Sequence, residues 1–378
     1  MGEKETIVSL RKEVQSLRRK LLQPEDKRLA LLQQEVFRLH KKGVDSKTIE
    51  AERSALAHEL ANAALSKKLE HYQRELALSE QRYTAMLTCS SNLTPRQIAK
   101  MRSRKVAAAT AGVVLSDWHI GELVDPSTIN DLNSFNLKIA EERIQRVFQR
   151  TVFFIETYRD VADIDELVVA LLGDLITGYI HEELLESSEI SPTEAIIFLR
   201  EQICGGLDFL LKEAGVKRIR VPTAFGNHGR TTPKKRISTG YKNSYEWMLY
   251  KLLERDYRND PRVEFQVTNS IHCWTEVQGY KIRSHHGDSI LYQGGVGGIT
   301  IPVNKAVAQW NKSQRAYLDL FGHYHQFLPH WSSWICNSSL IGYNAWALFI
   351  KAEFQPPSQT SFVIDREHGL VECKPIFC

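Results

Sequence analysis

Five short stretches of this sequence end in side chains of metal-ligand type: Asp117-Trp118-His119, Gly173-Asp174, Gly226-Asn227-His228, His285-His286-Gly287 and Gly322-His323-Tyr324-His325. Taken singly each is weak, because a Gly-Asp pair is usually a turn and a lone histidine is more often packed or exposed than a ligand. Five in order, each after an apolar run of strand length, form a pattern. Mixed carboxylate and imidazole donors without thiolates suit manganese, iron or zinc rather than calcium. The adjoining glycines let backbone pass close to an ion with no Cβ in the way.

The runs that must carry these residues cover 111–115, 166–172, 218–225, 280–284 and 317–321, with further strand-like segments near Trp334 and over 361–364. They alternate with amphipathic helical segments, which predicts an α/β fold. In open α/β sheets ligands gather beyond the carboxyl ends of the strands. Five separate segments are therefore expected to converge on one site.

Before residue 94 the pattern is different. Ile7, Leu10, Val14, Leu17 and Leu21, then Leu29, Leu32, Val36 and Leu39, and later Leu65, Leu69, Tyr72, Leu76, Tyr83 and Met86 recur at helical spacing. Breaks at Gln23-Pro24-Glu25 and Gly43-Val44-Asp45 predict three helices. Their seam suits a helical hairpin and a coiled coil between copies of the chain equally, since no single register spans all three. Thr94 as N-cap and Pro95 at the first helical position predict a short basic helix through Arg104 and Lys105. The expected organisation is a coiled-coil-like helical region over 1–93, a basic linker helix over 94–109 and a catalytic domain over 110–378.

Cys89, Cys204, Cys273, Cys336, Cys373 and Cys378 form no CxxC pair, which argues against a zinc-thiolate site and a disulfide framework and predicts reduced, mostly buried thiols. No apolar run approaches the roughly 20 residues that span a bilayer. The N-terminus is charged and heptad-like rather than signal-like, so the chain is expected in the cytoplasm without a membrane partner. A net charge of +4 conceals an asymmetry: residues 1–105 hold 22 Lys and Arg against 13 Asp and Glu, the remainder 27 against 32. A basic module suggests a polyanionic partner, or simply a solvated helical surface.

The order DxH, GD, GNH, HG, GHxH makes residues 110–350 resemble the calcineurin-like metallophosphoesterases. The resemblance implies a β-sandwich flanked by helices that holds two divalent cations. It implies that Asp117, His119 and His325 hold one, that Asn227, His286 and His323 hold the other, and that Asp174 bridges both. His286 is preferred to His285 because the ligand in the family directly precedes glycine, and adjacent side chains at a strand end point to opposite faces. His228 would stand outside the metal shell and, protonated, donate to the departing oxygen. Two cations about 4 Å apart lower the pKa of a bridging water and clamp the phosphoryl oxygens. The implied activity is phosphoester hydrolysis by a bridging hydroxide, with manganese expected first and iron, zinc or magnesium as alternatives. Two departures stand out. Leu175-Ile176-Thr177-Gly178 follows Asp174 where protein serine/threonine phosphatases carry Asp-Arg-Gly, and Gly229-Arg230 follows His228 where many relatives carry an acid. Asp288 and Glu182 are candidates to orient His228 in its place.

Between Ala214 and Tyr245 there are eight Lys or Arg and no Asp or Glu, with Arg230, Lys234, Lys235 and Arg236 directly after His228. A basic loop beside such a centre favours a nucleic-acid backbone. His181 is a further candidate for the substrate groove. The glycine-rich run 293–298 is weak evidence for a phosphate cradle, and Trp331, Trp334, Tyr343 and Trp346 could stack bases, although core packing is the commoner role of such residues. A softer likeness, carried by the helical N-terminal region and Ser116-Asp117-Trp118-His119-Ile120-Gly121-Glu122, is to phage- and prophage-encoded phosphoesterases related to the double-strand-break repair nucleases. It implies a manganese-dependent DNA nuclease, an exonuclease included, acting in the host cytoplasm if phage-encoded. The alternatives are a small-molecule phosphatase or cyclic-nucleotide phosphodiesterase, and a non-enzymatic nucleic-acid-binding or assembly protein, which the intact metal motifs disfavour.

Overall fold

The computed structural model describes residues 8, 9, 11–16, 19, 46–91, 98, 106–292, 294, 297–331 and 333–378. The expected helix breaks at 23–25 and 43–45, the seam positions Leu17 to Leu39 and the expected basic helix up to Lys105 lie outside the described residues or are represented there by isolated positions. The chain divides into two compact units, Met1–Met101 and Arg102–Cys378.

In the first unit residues 11–16 are helical, and α1 spans Ser46–Ser91 without a glycine or proline to interrupt it. Leu65, Leu69, Tyr72, Leu76 and Tyr83 are half-buried along one side, whereas Met86 is exposed and stands outside that stripe. Val14 is buried, and the Arg11 guanidinium donates to Glu80 at 2.6 Å. The first helical segment thus lies against α1 within the same chain.

The second unit alternates strands and helices: β1 (Val106–Leu115), α2 (Leu137–Tyr158), β2 (Ala162–Leu171), α3 (Pro192–Glu213), β3 (Arg218–Thr223), α4 (Tyr245–Asp256), β4 (Val263–Val267), β5 (Cys273–Val277), β6 (Tyr280–Ser284), α5 (Thr300–Ser313), β7 (Leu318–Phe321), β8 (Leu328–His330), β9 (Trp334–Cys336), β10 (Ser358–Asp365) and β11 (Gly369–Phe377). Local chemistry starts the helices. Asn136 accepts from the Ile139 N–H, Ser191 and Glu194 form a reciprocal capping box, and Ser244 accepts from the Trp247 N–H.

One sheet runs β11-β10-β1-β2-β3-β4, with β1 to β4 parallel and the β10–β11 hairpin antiparallel to them. The other runs β5-β6-β7-β9-β8, parallel across β6, β7 and β9 and antiparallel at both edges. Between the sheets Val114, Val168, Ala170 and Leu172 pack in one core with Ile282, Leu318, Leu320 and Ile335. Helices α2, α3 and α4 cover the outer face of the first sheet through Ile144, Ile155, Leu199, Ile203 and Leu249. Helix α5 covers the second through Val303 and Val307, which pack with Phe321 and Trp334. The result is the α/β sandwich flanked by helices expected from the sequence. Fully burying a Val, Leu or Ile is worth about 1.5–3 kcal/mol, so these layers hold the unit together far more than exposed ion pairs such as Lys217–Asp165 do.

Some boundaries differ from expectation. Strand β1 begins at Val106, inside the span assigned to the linker helix, and β4, β5, β8 and β11 were not among the candidate strands. Trp334 is buried with its Nε1 donating to Asn304, whereas Trp331 and Trp346 are exposed. Cys204, Cys273, Cys336, Cys373 and Cys378 are free thiols. Among the described residues no helix is long and apolar enough to cross a membrane.

Candidate metal centre

The carboxyl ends of β1, β2 and β3 lead into Asp117 and His119, Asp174, and Asn227 and His228; those of β6 and β7 lead into His286 and into His323 and His325. The sandwich brings both sets together. Among the described residues three groups of donor atoms form: Asp117, His119 and His325; His119, Asp174 and His228; Asp174, His286 and His323. Within each group the atoms lie within 4.8 Å of one another. Asn227, on the loop that carries His228, holds its Oδ1 buried with no hydrogen-bond partner.

The pairing of these atoms suits a set of donors sharing a cation or, without one, a proton. His286 Nδ1 lies 2.7 Å from the Leu172 carbonyl oxygen, so it carries the ring proton and donates. Nε2 then faces the Asp174 carboxylate at 2.9 Å, acceptor against acceptor, unless a second proton or a cation intervenes. His119 Nε2 and His325 Nε2 meet at 3.1 Å, and His325 Nε2 is 3.4 Å from Asp117 Oδ1. Donors bonded at about 2.0–2.2 Å to one ion stand about 3 Å apart when roughly at right angles, so the donor set fits divalent cations. Electrostatics divides the rings. Burial lowers His286, but the Asp174 carboxylate outweighs burial and raises the ring to about 10, and Asp117 likewise outweighs burial and raises His325, so without an ion these two rings hold a proton where a cation would stand. Burial, then the His228 and His325 rings, holds the His119 imidazole well below its ordinary value; burial and His286 lower His323 to about 4. Both offer neutral ring nitrogens. Burial pushes the Asp174 carboxyl up, but His286 and His228 outweigh it and hold it well below the usual range.

Strain marks the same residues. Asp117, His119, Asp174, His323 and His325 have φ of 56°, 51°, 49°, 70° and 56°, a left-handed region that side chains with a Cβ occupy at a cost of about 1–3 kcal/mol each. Backbone bonds hold them there: Asp117 N donates to Gly173 O, His119 N to Asp174 O, and His323 N to both Asp117 carboxylate oxygens, all at 3.0 Å. His228 N donates to Asp174 Oδ1 at 2.7 Å. Gly226 and Gly322 are required by close approach. A Cβ on the first would stand 2.1 Å from Asp174 Oδ1, and on the second 2.1 Å from Asp117 Oδ2.

Several supporting residues were not anticipated from the sequence. Glu246, fully buried in the first turn of α4, accepts from the Leu175 N–H and the Gly226 N–H, both at 2.6 Å. It thereby ties together the loops that carry Asp174 and Asn227. Burial, then the Asp174 charge, pushes its carboxyl up to about 7. Ser116 Oγ donates to Asp117 at 2.5 Å and receives the Asn337 amide at 2.9 Å, and Asn337 in turn receives Thr360. Glu122 lies 4.0 Å from His119 Nδ1 and is held by Asn344 at 2.8 Å. An acid at the start of an amphipathic helix was the one sequence signal for Glu246.

His228 Nδ1 donates to the Thr177 carbonyl at 2.8 Å, leaving Nε2 unengaged by that bond, and its ring lies 4.6 Å from that of His119. An acid does not fill the orienting position: Asp288 pairs with Lys235 at 2.5 Å, and Glu182 is exposed. His285 is directed away from the cluster, stacked on Phe321 with ring centroids 5.0 Å apart. His181 is exposed, its ring 6.5 Å from that of His228. The basic stretch divides. Lys217, Arg218 and Arg220 pair with Asp165, Glu264 and Glu166 on neighbouring strands. The Arg230 guanidinium is spent on the Asn227, Thr232 and Pro233 carbonyls of its own loop. Lys234 and Arg236 stay exposed, with no ion pair among the described residues.

No protein-family model matches the chain, and no curated protein matches it. Among solved structures it is similar to a hypothetical protein of Pyrococcus horikoshii OT3, 12% identical over 71% of this chain and 87% of that one, with a TM-score of 0.33. Chaetomium thermophilum Vps29 is 11% identical over 70% and 96%, with a TM-score of 0.28. A dimetal phosphatase from Danio rerio is 10% identical over 71% and 98%, with a TM-score of 0.31. Likenesses of this size carry no argument about activity, which rests on the site itself.

Proposed function

We propose that the chain is a two-metal phosphodiesterase that cleaves nucleic acid, DNA in preference to RNA. The observation that carries this reading is the convergence of two buried, unpartnered atoms, Asn227 Oδ1 and His286 Nε2, with the His119, His323 and His325 rings and the Asp117 and Asp174 carboxylates. Asp117, His119 and His325 would hold one cation, Asn227, His286 and His323 the other, with Asp174 shared between them. When bound, two divalent cations, manganese foremost and iron, zinc or magnesium as alternatives, lower the pKa of water and neutralise phosphoryl oxygens. The chain does the rest. His228, its Nδ1 proton committed to Thr177, would as the imidazolium carry a second proton on Nε2 and give that one to the leaving oxygen. Glu246 keeps the Asp174 and Asn227 loops in register. The exposed Lys234 and Arg236 supply positive charge for a phosphate backbone, and the exposed His181 lies beside His228.

A second reading, a phosphoesterase for small substrates, is favoured by the commitment of Arg230 and Lys235 to partners, which shortens the basic track. One panel separates the two: protein loaded with manganese is offered single-stranded DNA, duplex DNA, RNA, a phosphodiester dye and a phosphomonoester dye. DNA and diester cleavage are expected, and Asp174→Asn is expected to abolish both. Cleavage of the monoester alone refutes the nuclease reading. The DNA reading puts the protein in the cytoplasm, that of the host if it is phage-encoded.

A further inference from the structure

Beside the donor cluster lies a cavity of about 310 Å³ that shares Asn227 and His286 with it. Its other walls are largely apolar, from Phe225, Ile237, Ile271 and Leu291. Three loops form it, one after β3, one after β6 and the one between β4 and β5 that carries Ile271; the first two are joined by the Lys235–Asp288 ion pair. Arg230 also lines it, fixed by the carbonyls of its own loop, so that its charge is part of the wall. Ile237 is 84% and Leu291 77% exposed, although both line the cavity. Aliphatic surface left in water costs about 25 cal/mol per Å², which an apolar ligand face would recover.

We infer that this cavity receives the ester substituent that stays on the phosphate: one flat, nucleoside-sized group against Phe225, Ile271 and Leu291, with its phosphate reaching Asn227 and His286. The inference rests on the phosphodiesterase reading above. Small-ligand pockets run from about 300 to 1,000 Å³, so this one accommodates a single nucleoside and no second. Cationic side chains beside apolar walls suit a group that is aromatic at one end and anionic at the other. The pocket therefore makes the enzyme selective for what is attached to the phosphate.

Two diesters with the same leaving group isolate that selectivity: thymidine 5′-(p-nitrophenyl) phosphate and methyl p-nitrophenyl phosphate. Manganese-loaded protein is expected to favour the thymidine ester in kcat/KM by about tenfold or more, the scale of discrimination a small pocket supplies. Ile271→Trp fills the cavity, and Leu291→Ala trims an exposed wall without touching the core; in both, the ratio falls toward one. Calorimetric binding of thymidine 5′-monophosphate, which involves no turnover, should weaken in both variants. A ratio near one in the unaltered protein overturns the pocket and leaves the phosphodiesterase standing. So does an unchanged ratio with unchanged nucleotide binding in the two variants. Failure to hydrolyse either diester overturns the phosphodiesterase reading and the pocket with it.

Discussion

Replacing Glu246 with Gln tests whether one buried carboxylate organises the centre. Its two oxygens accept the Leu175 and Gly226 N–H groups at 2.6 Å, in a position with no solvent exposure. A Gln side chain presents one oxygen and one NH2, so whichever way it turns, one backbone N–H meets a donor. A buried N–H left unsatisfied costs about 1–3 kcal/mol, and the surviving bond loses its charge assistance, roughly another 1 kcal/mol. Relief from burying a charge offsets part of this, leaving a net destabilisation of about 2–3 kcal/mol. The functional consequence is larger than the stability change, because Leu175 follows Asp174 and Gly226 precedes Asn227. Loss of such outer support typically costs about 10–100-fold in metal affinity or activity. Urea unfolding of the metal-free protein reads the first effect, and diester hydrolysis titrated with manganese reads the second. An unfolding midpoint and a manganese half-saturation both equal to those of the parent would refute the reasoning.

Other perturbations follow from the same geometry. Chelating divalent cations removes the ion that would be shared across His119/His325 and His286/Asp174 and leaves only protons to hold these pairs; a cation at 100–1,000 times its Kd contributes about 2.7–4.1 kcal/mol. Melting should therefore drop by about 5–15 °C and recover with manganese, and an unchanged melting curve would count against the metal reading. The double change Lys234→Ala with Arg236→Ala should slow DNA cleavage more than methyl diester cleavage and lower the slope of log rate against log salt by about 1–2; equal losses on both substrates would assign these residues to folding or chemistry instead. Burial, then His285, lowers His272 from 6.5 to about 4. The unfolded chain takes up that proton first, so this contribution to stability is complete above pH 6.5 and is lost as pH falls through about 4. Urea midpoints across that window should fall less steeply in His272→Gln than in the parent, and parallel pH curves would exclude the assignment.

The sequence by itself determined the alternation of strands and helices and the residues from which a metal centre could be built. Both signals are local. A strand is a short apolar run, and the candidate donors follow directly on the strands that aim them, so Asp117, His119, Asp174, Asn227, His323 and His325 could be picked out without a fold, whereas His286 was preferred to His285 only through the family resemblance. Strands that make weak patterns escaped: β8 is three residues long, and β4 reads Val-Glu-Phe-Gln-Val with most side chains only partly buried at a sheet edge. What the tertiary structure decided is everything that depends on partners far apart in the chain. Glu246 meets Leu175 across 71 positions, and Asn337 meets Ser116 across 221; no spacing rule links them, because only sheet order and helix packing set the distance. The basic stretch after β2 shows the same physics. Counted along the chain it is a single block of positive charge, yet parallel pairing places Glu166 and Glu264 beside Arg220 and Arg218, and Asp165 meets Lys217. That neutralises the strand and leaves the exposed loop at Lys234 and Arg236 as the charged feature beside the centre.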